Sequence, residues 1–209
     1  MEGLTGIPHP QPTRFKPVSW REVEEGCAHI AEKILATNLN VDVIVGILRG
    51  GWIPARLLSD YLGVDTMGAL EVKFYRGVGE TAEKPVITQP LIVNVRDKVV
   101  LVVDDVSDTG KTLTVAVNFL MHYGPRKIVT ATLYVKPWSM YRPDFYHSET
   151  DAWIIFPWDK AETVVELVAK RGLSIEEVSK ITGESIDFIR RIFETRNKAS
   201  TTSSRAGQD

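Results

Sequence analysis

Val99-Val100-Leu101-Val102-Val103-Asp104-Asp105-Val106-Ser107-Asp108-Thr109-Gly110-Lys111-Thr112 is the stretch whose reading decides the fold. Five apolar residues, four of them valine, read as a strand buried on both faces of a parallel sheet. Two acids stand where that strand should end. A short loop rich in Ser, Thr and Gly follows, and a helical pattern runs from about Thr112 to Tyr123. In open α/β sheets, ligands bind just beyond the carboxyl ends of the strands. A loop entering a helix N-terminus offers unsatisfied N–H groups and the positive end of a dipole, which suits a phosphate. Paired carboxylates beside it suit sugar hydroxyls or Mg²⁺. These few residues can therefore hold a phosphate, a diol and a metal together.

Two commoner nucleotide motifs are excluded by spacing. The run Ser107–Thr112 looks like the tail of a P-loop, but a P-loop needs glycine five residues before the Gly of Gly-Lys-Thr. Here that position is Asp105, whose charge would repel a triphosphate. The dinucleotide fingerprint is absent too, because Gly46-Ile47-Leu48-Arg49-Gly50-Gly51 has the wrong glycine spacing. A plain strand-to-helix turn with capping acids would not account for the third acid, Asp108, together with Thr109 and Thr112.

An apolar strand, Asp-Asp, two residues and Asp-Thr-Gly-x-Thr resembles the phosphoribosyl-pyrophosphate (PRPP) signature of type I phosphoribosyltransferases. The resemblance covers about residues 17–160. It implies that Asp104 and Asp105 hold the ribose hydroxyls and, through Asp105, the metal shell. It implies that Ser107, Asp108, Thr109, Gly110, Lys111 and Thr112 wrap the 5′-phosphate, and that Asp108 assists proton transfer near N7 of a purine as the catalytic group. Arg49, Gly50 and Gly51 match the family's pyrophosphate loop, which often carries an unusual cis peptide. Adjacent glycines let backbone N–H groups approach an anion, and an arginine adds a bidentate donor.

Two further segments carry the resemblance toward the base. Lys136, in Tyr134-Val135-Lys136-Pro137, stands where purine-salvage members carry a lysine that donates to O6. An ammonium only donates, so it favours a carbonyl oxygen over a 6-amino group. Asp151-Ala152-Trp153-Ile154-Ile155-Phe156-Pro157-Trp158-Asp159 resembles the Trp-Ile-x-x-Pro-Trp-Asp segment of microbial xanthine-guanine enzymes. By that resemblance Trp153 stacks on the purine, the Ile154 backbone reads its Watson–Crick edge, and Asp159 approaches a metal-bound water. In the flexible loop, Phe74-Tyr75 stands where many members carry Ser-Tyr.

The rest of the chain is read outward from this centre. At 209 residues with 44% hydrophobic content, it is long and apolar enough for one ordinary domain with an appendage. A net charge of −2 calls for neither nucleic acid nor a membrane surface. The single cysteine, Cys27, excludes an internal disulfide and fits a reducing cytoplasm. It falls on the apolar helical stripe Val23, Cys27, Ile30, Ala31 and Ile34, as a core residue. No signal peptide and no membrane span are expected.

Residues 1–16 read as an extended arm and 17–160 as the phosphoribosyltransferase domain, with a hood at about 137–159. A helical extension follows at 161–198, and a disordered tail is expected at 199–209. Val41–Ile47 reads as a buried strand. A helix should follow it and end near Leu62, capped by Gly63. Residues 65–97 read as strand fragments around a polar insert, Arg76–Lys84, suggesting a hairpin or lid. Lys127–Lys136 reads as another strand, an irregular hood reaches Asp151, and Ala152–Phe156 is a short strand. The alternation predicts a doubly wound parallel α/β sheet with helices on both faces.

The function that the resemblance implies is transfer of the 5-phosphoribosyl group from PRPP to hypoxanthine, guanine or xanthine, with Mg²⁺ as cofactor. The same resemblance implies a cytoplasmic homo-oligomer, a dimer or tetramer. The alternative on the same fold is a non-catalytic transcriptional regulator that senses PRPP or a nucleotide. Leu173–Lys198 has the outline of a helix-turn-helix around Gly183. Its basic residues are offset by Glu176, Glu177, Glu184, Asp187 and Glu194, so DNA binding is not expected.

Overall fold

The computed structural model describes residues 14–76 and 83–205. The chain divides into two compact units, one formed by Trp20–Thr150 and the other by Met1–Ser19 with Asp151–Asp209. The first unit contains α1 (Trp20–Ala36), β2 (Val43–Leu48), α2 (Trp52–Leu62), β3 (Met67–Arg76), β4 (Glu83–Gln89), β5 (Val99–Ser107), α3 (Lys111–Met121), β6 (Lys127–Val135) and β7 (Phe145–Glu149). The second contains β1 (Phe15–Pro17), β8 (Trp153–Ile155), α4 (Lys160–Val165) running into a π turn (Glu166–Lys170), α5 (Ile175–Thr182) and α6 (Ile186–Arg205).

The six-stranded sheet of the first unit has the order β4-β3-β2-β5-β6-β7. All neighbours are parallel except β3 and β4, which form an antiparallel edge hairpin. Residues 77–82, the tip of the expected lid, lie outside the described residues, and so do residues 1–13 of the expected arm. Val99–Val103 are buried, as a strand flanked on both sides and covered on both faces requires. One face carries Val43, Val45, Ile47, Leu70, Val72, Val100 and Val102 against Leu113, Ala116 and Leu120 of α3. The opposite parity faces α2, where a Cβ at Gly46 would stand 3.0 Å from Ala55 Cβ. The doubly wound parallel sheet is therefore present. Cys27 lies in the core, fully buried, and burial pushes its thiol up to about 12, so it is an inert apolar side chain.

α2 ends at Leu62 with Gly63 in the left-handed region (φ 64), as its sequence predicts. Three expectations change. The hood expected to be irregular contains β7, parallel to β6 at the sheet edge. Its sequence, Phe145-Tyr146-His147-Ser148-Glu149, lacks apolar alternation because its residues are only half-buried. The entry to β7 is pinned by Asp144, whose carboxylate accepts from both the backbone N and the Oγ1 of buried Thr130, each at 2.8 Å. The short strand near Ala152 exists but lies outside the main sheet. It pairs in parallel with β1, Phe15 opposite Trp153, so the end of the expected arm is a strand. Lastly, α6 continues to Arg205, into the stretch expected to be disordered. No Gly or Pro interrupts Ile186–Arg205, and Ser/Thr content alone does not stop a helix.

The second unit has its own small core of Val164, Leu167, Val178 and Ile189. The expected capping box opens α5: Ser174 Oγ accepts from Glu177 N while the Glu177 carboxylate accepts from Ser174 N.

The Asp144 clamp can be tested directly. Asp144→Ala strands the buried Thr130 N–H, which should cost about 1–3 kcal/mol. Urea unfolding should show that loss, and the β7 amides should exchange faster than those of β2. Unchanged exchange at β7 would show that the strand does not depend on Asp144.

Candidate active site

The site follows from the course of β5. Its pairing with β2 stops at Val103, opposite Gly46, while its pairing with β6 continues to Ser107, opposite Val135. β2 passes through α2 to β3 on one side, and β5 passes through α3 to β6 on the other. The crevice between β2 and β5 is thus a topological switch point, where open sheets bind ligands. A cavity of about 220 Å³ opens there, lined by Asp104, Asp105, Val106, Ser107, Asp108, Thr109, Gly110, Thr112 and Leu113. All the residues expected to hold sugar and 5′-phosphate line it except Lys111, which is exposed.

Asp104 and Asp105 stand side by side. Asp104 Oδ1 accepts from Asp105 N at 3.0 Å, and Asp105 Oδ1 accepts from Val106 N at 2.8 Å. Asp104 is buried, and burial followed by the neighbouring Asp105 charge raises its carboxyl well above the usual range.

The glycines of the expected pyrophosphate loop abut this pair. A Cβ at Gly50 would lie 1.8 Å from Asp105 Oδ2. One at Gly51 would lie 2.5 Å from Val103 O and 2.7 Å from Asp104 Cα, both backbone atoms that cannot yield. Only glycine allows this approach. The Leu48–Arg49 peptide is cis. Arg49 is exposed, and Leu48 pairs with Glu71 of β3. Glu71 accepts from Thr88 Oγ1 at 2.5 Å and pairs with Lys73 at 3.0 Å; these contacts, with the nearby Arg49 charge, lower its carboxyl below the ordinary range.

The loop 107–110 is braced by a segment whose role sequence reading missed. Ser107 Oγ donates to Tyr141 O at 2.8 Å and meets Ser139 Oγ at 2.9 Å. Lys136 N donates to Ser107 O, and Met140 N donates to Thr109 O. Gly110 sits at φ 82 with no room for a Cβ, which would fall 2.4 Å from Tyr141 N. It precedes α3 with no side chain of its own to cap the helix, and only the Lys111 N–H is met, by Thr109 Oγ1 at 3.4 Å, which leaves that helix end suited to an anion. Only one signal in the sequence hinted at the brace: small polar residues at 107 and 139 with glycine at 110.

Lys136 is 7% exposed, buried for a lysine, with Nζ 5.5 Å from the Trp138 ring centre. The Trp138 Nε1–H donates to Asp108 Oδ1 at 3.0 Å. The residues expected to read O6 and N7 thus share one neighbour.

Three expected residues lie in the second unit. Trp153 is 39% exposed, with the Arg171 guanidinium 5.5 Å above its ring centre, and its N donates to Arg14 O. Ile154 is half-buried beside it, opposite Lys16. Asp159 precedes α4 and its carbonyl accepts from Thr163 N.

Comparison with known proteins agrees with this geometry. The phosphoribosyl transferase domain family matches residues 19–170. A xanthine-guanine phosphoribosyltransferase of Gluconobacter oxydans is 30% identical over 172 residues, 81% of this chain and 99% of the relative. The Cereibacter sphaeroides protein of that name is 38% identical over 155 residues, 71% of this chain and 89% of the relative. Among solved structures, a purine phosphoribosyltransferase from Pyrococcus horikoshii superposes with a TM-score of 0.64 at 42% identity, covering 70% of this chain and 94% of that one. An acid pair at the end of the central strand, a braced loop after it and a glycine loop against the acids are thus accounted for together: the chain belongs to the phosphoribosyltransferase family, as an enzyme of its type I fold.

Proposed function

We propose that this enzyme transfers the 5-phosphoribosyl group of PRPP to N9 of a 6-oxopurine, releasing pyrophosphate and giving a nucleoside 5′-monophosphate. The observation that carries the base class is Lys136: a buried ammonium at the end of β6, beside the loop that holds Asp108. Such a group donates to a 6-oxo oxygen and offers nothing to the N–H of a 6-amino group. Two relatives named for xanthine and guanine support the same class.

In this reading Asp104 and Asp105 accept from the ribose hydroxyls. The loop Ser107–Thr112 holds the 5′-phosphate through its N–H and hydroxyl donors, and Arg49, Gly50 and Gly51 receive the pyrophosphate. Asp108 holds a proton at N7 as N9 bonds to C1′. Trp153 stacks on the base and the Ile154 backbone reads its edge. The hairpin β3–β4 excludes water during transfer, which matters because PRPP hydrolyses.

The donor set fits Mg²⁺: two hard carboxylates side by side, one of them buried, with burial and the neighbouring Asp105 charge raising its carboxyl above the usual range. Asp105 and Asp159 are the residues assigned to its shell. When bound with PRPP, the ion would neutralise charge on the departing pyrophosphate. The enzyme is proposed to work as a homo-oligomer.

The assay that tests the base class follows pyrophosphate release from PRPP with hypoxanthine, guanine, xanthine and adenine in turn. The 6-oxopurines should be used and adenine rejected. Lys136→Gln, whose amide both donates and accepts, should slow the 6-oxopurines by about tenfold or more and shrink the disadvantage of adenine. An unchanged hypoxanthine-to-adenine ratio would remove Lys136 from base selection.

The acid pair makes a second prediction. A carboxyl raised in the folded state favours the protonated fold, so its contribution to stability is greatest at low pH and is lost as pH rises through the raised value. Asp104→Asn should therefore melt higher than wild type at about pH 8, and the gain should shrink toward pH 4, where an ordinary carboxyl is itself half protonated. A gain independent of pH, or a loss at pH 8, would contradict the burial of an unneutralised carboxyl.

A further inference from the structure

We propose that Trp138 is a positioning residue that fixes the two base-reading groups, Asp108 and Lys136, against each other. The proposal rests on the roles given to those two residues above. Trp138 is 38% exposed, so its ring does not serve the core. Its polar atom and its face are nonetheless both engaged. The Nε1–H donates to Asp108 Oδ1 at 3.0 Å, and the Lys136 ammonium lies 5.5 Å from the ring centre.

The backbone keeps the indole there. Lys136 N donates to Ser107 O at 3.0 Å, Ser139 N to Lys136 O at 3.0 Å, and Met140 N to Thr109 O at 3.1 Å. The segment 136–140 is thereby stitched to the residues on either side of Asp108, and Trp138 stands between the stitches.

The chemistry suits positioning. An indole N–H is a donor only. It ties down Oδ1 of Asp108 and leaves Oδ2 as the acceptor for a protonated ring nitrogen. A ring face attracts an ammonium without taking any of its three N–H donors in a hydrogen bond. One side chain thus orients the acceptor for N7 and the donor for O6. Those two purine atoms lie on the same side of the base, so the spacing of their protein partners must be fixed before the base arrives.

The test uses the full-length enzyme, with pyrophosphate release from PRPP measured against hypoxanthine and guanine, and PRPP binding measured by calorimetry with MgCl₂. Trp138→Phe keeps a ring for Lys136 and deletes the N–H. It should lower kcat by about tenfold, leaving the base KM and the PRPP Kd within about twofold. Trp138→Ala also removes the ring beside Lys136, and should raise the base KM several-fold besides.

Asp108→Asn supplies the reference and should slow turnover by about 10²-fold or more. Trp138→Phe added to Asp108→Asn should slow it no further, since both act on one carboxylate. Fully additive losses would show a merely structural role and overturn the proposal. So would a Trp138→Phe enzyme with wild-type kcat while Asp108→Asn is slow, a result that leaves the role of Asp108 standing. A Trp138→Phe enzyme with raised kcat or lowered base KM would also overturn it, by showing that the indole occupies the place of the base. Wild-type turnover by Asp108→Asn would instead refute the underlying role of Asp108.

Discussion

Two carboxylates forced together at the end of one buried strand are the constraint on which the rest of the site depends. β5 loses β2 as a partner after Val103, and the next two residues are Asp104 and Asp105. Asp104 is buried beside a like charge, an arrangement that is unfavourable without a cation or hydroxyl donors to face it. The surroundings keep the pair in place. Gly50 and Gly51 bring a neighbouring loop within contact of both acids, where any side chain would collide. The segment Lys136–Tyr141 then closes on the loop that follows the acids, through Ser107, Thr109 and the left-handed Gly110. The protein holds two adjacent carboxylates rigidly, an arrangement that a cation or hydroxyl donors would relieve. Stability lost at such a place is the usual counterpart of function.

Much of this was legible because the decisive residues are contiguous. The run from Val99 to Thr112 encodes strand, acids, loop and helix in order, and each has a local physical signature: β-branched burial, charge, small polar residues, then helical periodicity. Gly63 as a helix cap and Ser174–Glu177 as a capping box were equally local, and both stand in the structure.

What escaped was non-local or lacked a pattern. β7 is an edge strand of half-buried polar and aromatic residues, so neither alternation nor an apolar run announced it. The pairing of Phe15–Pro17 with Trp153–Ile155 joins segments far apart in sequence, which no window can see. The brace from Ser139 and Tyr141 to Ser107 has the same character. Trp138 went unread because an exposed aromatic in an irregular segment has no periodicity. Its meaning depends on Asp108 being 3.0 Å away. The continuation of α6 to Arg205 has another reason: the Ser/Thr-rich composition suggests disorder, but no helix breaker stands in the segment.

The account turns on the acid pair and its loop as the seat of PRPP with a divalent cation. The most direct measurement is a calorimetric titration of PRPP into the wild-type protein with and without MgCl₂, repeated on the Asp104→Asn, Asp105→Asn double variant. Tight binding should require Mg²⁺ and should be lost in the double variant while the fold persists. PRPP binding that is equally tight without Mg²⁺, or that survives loss of both carboxylates, would contradict the account.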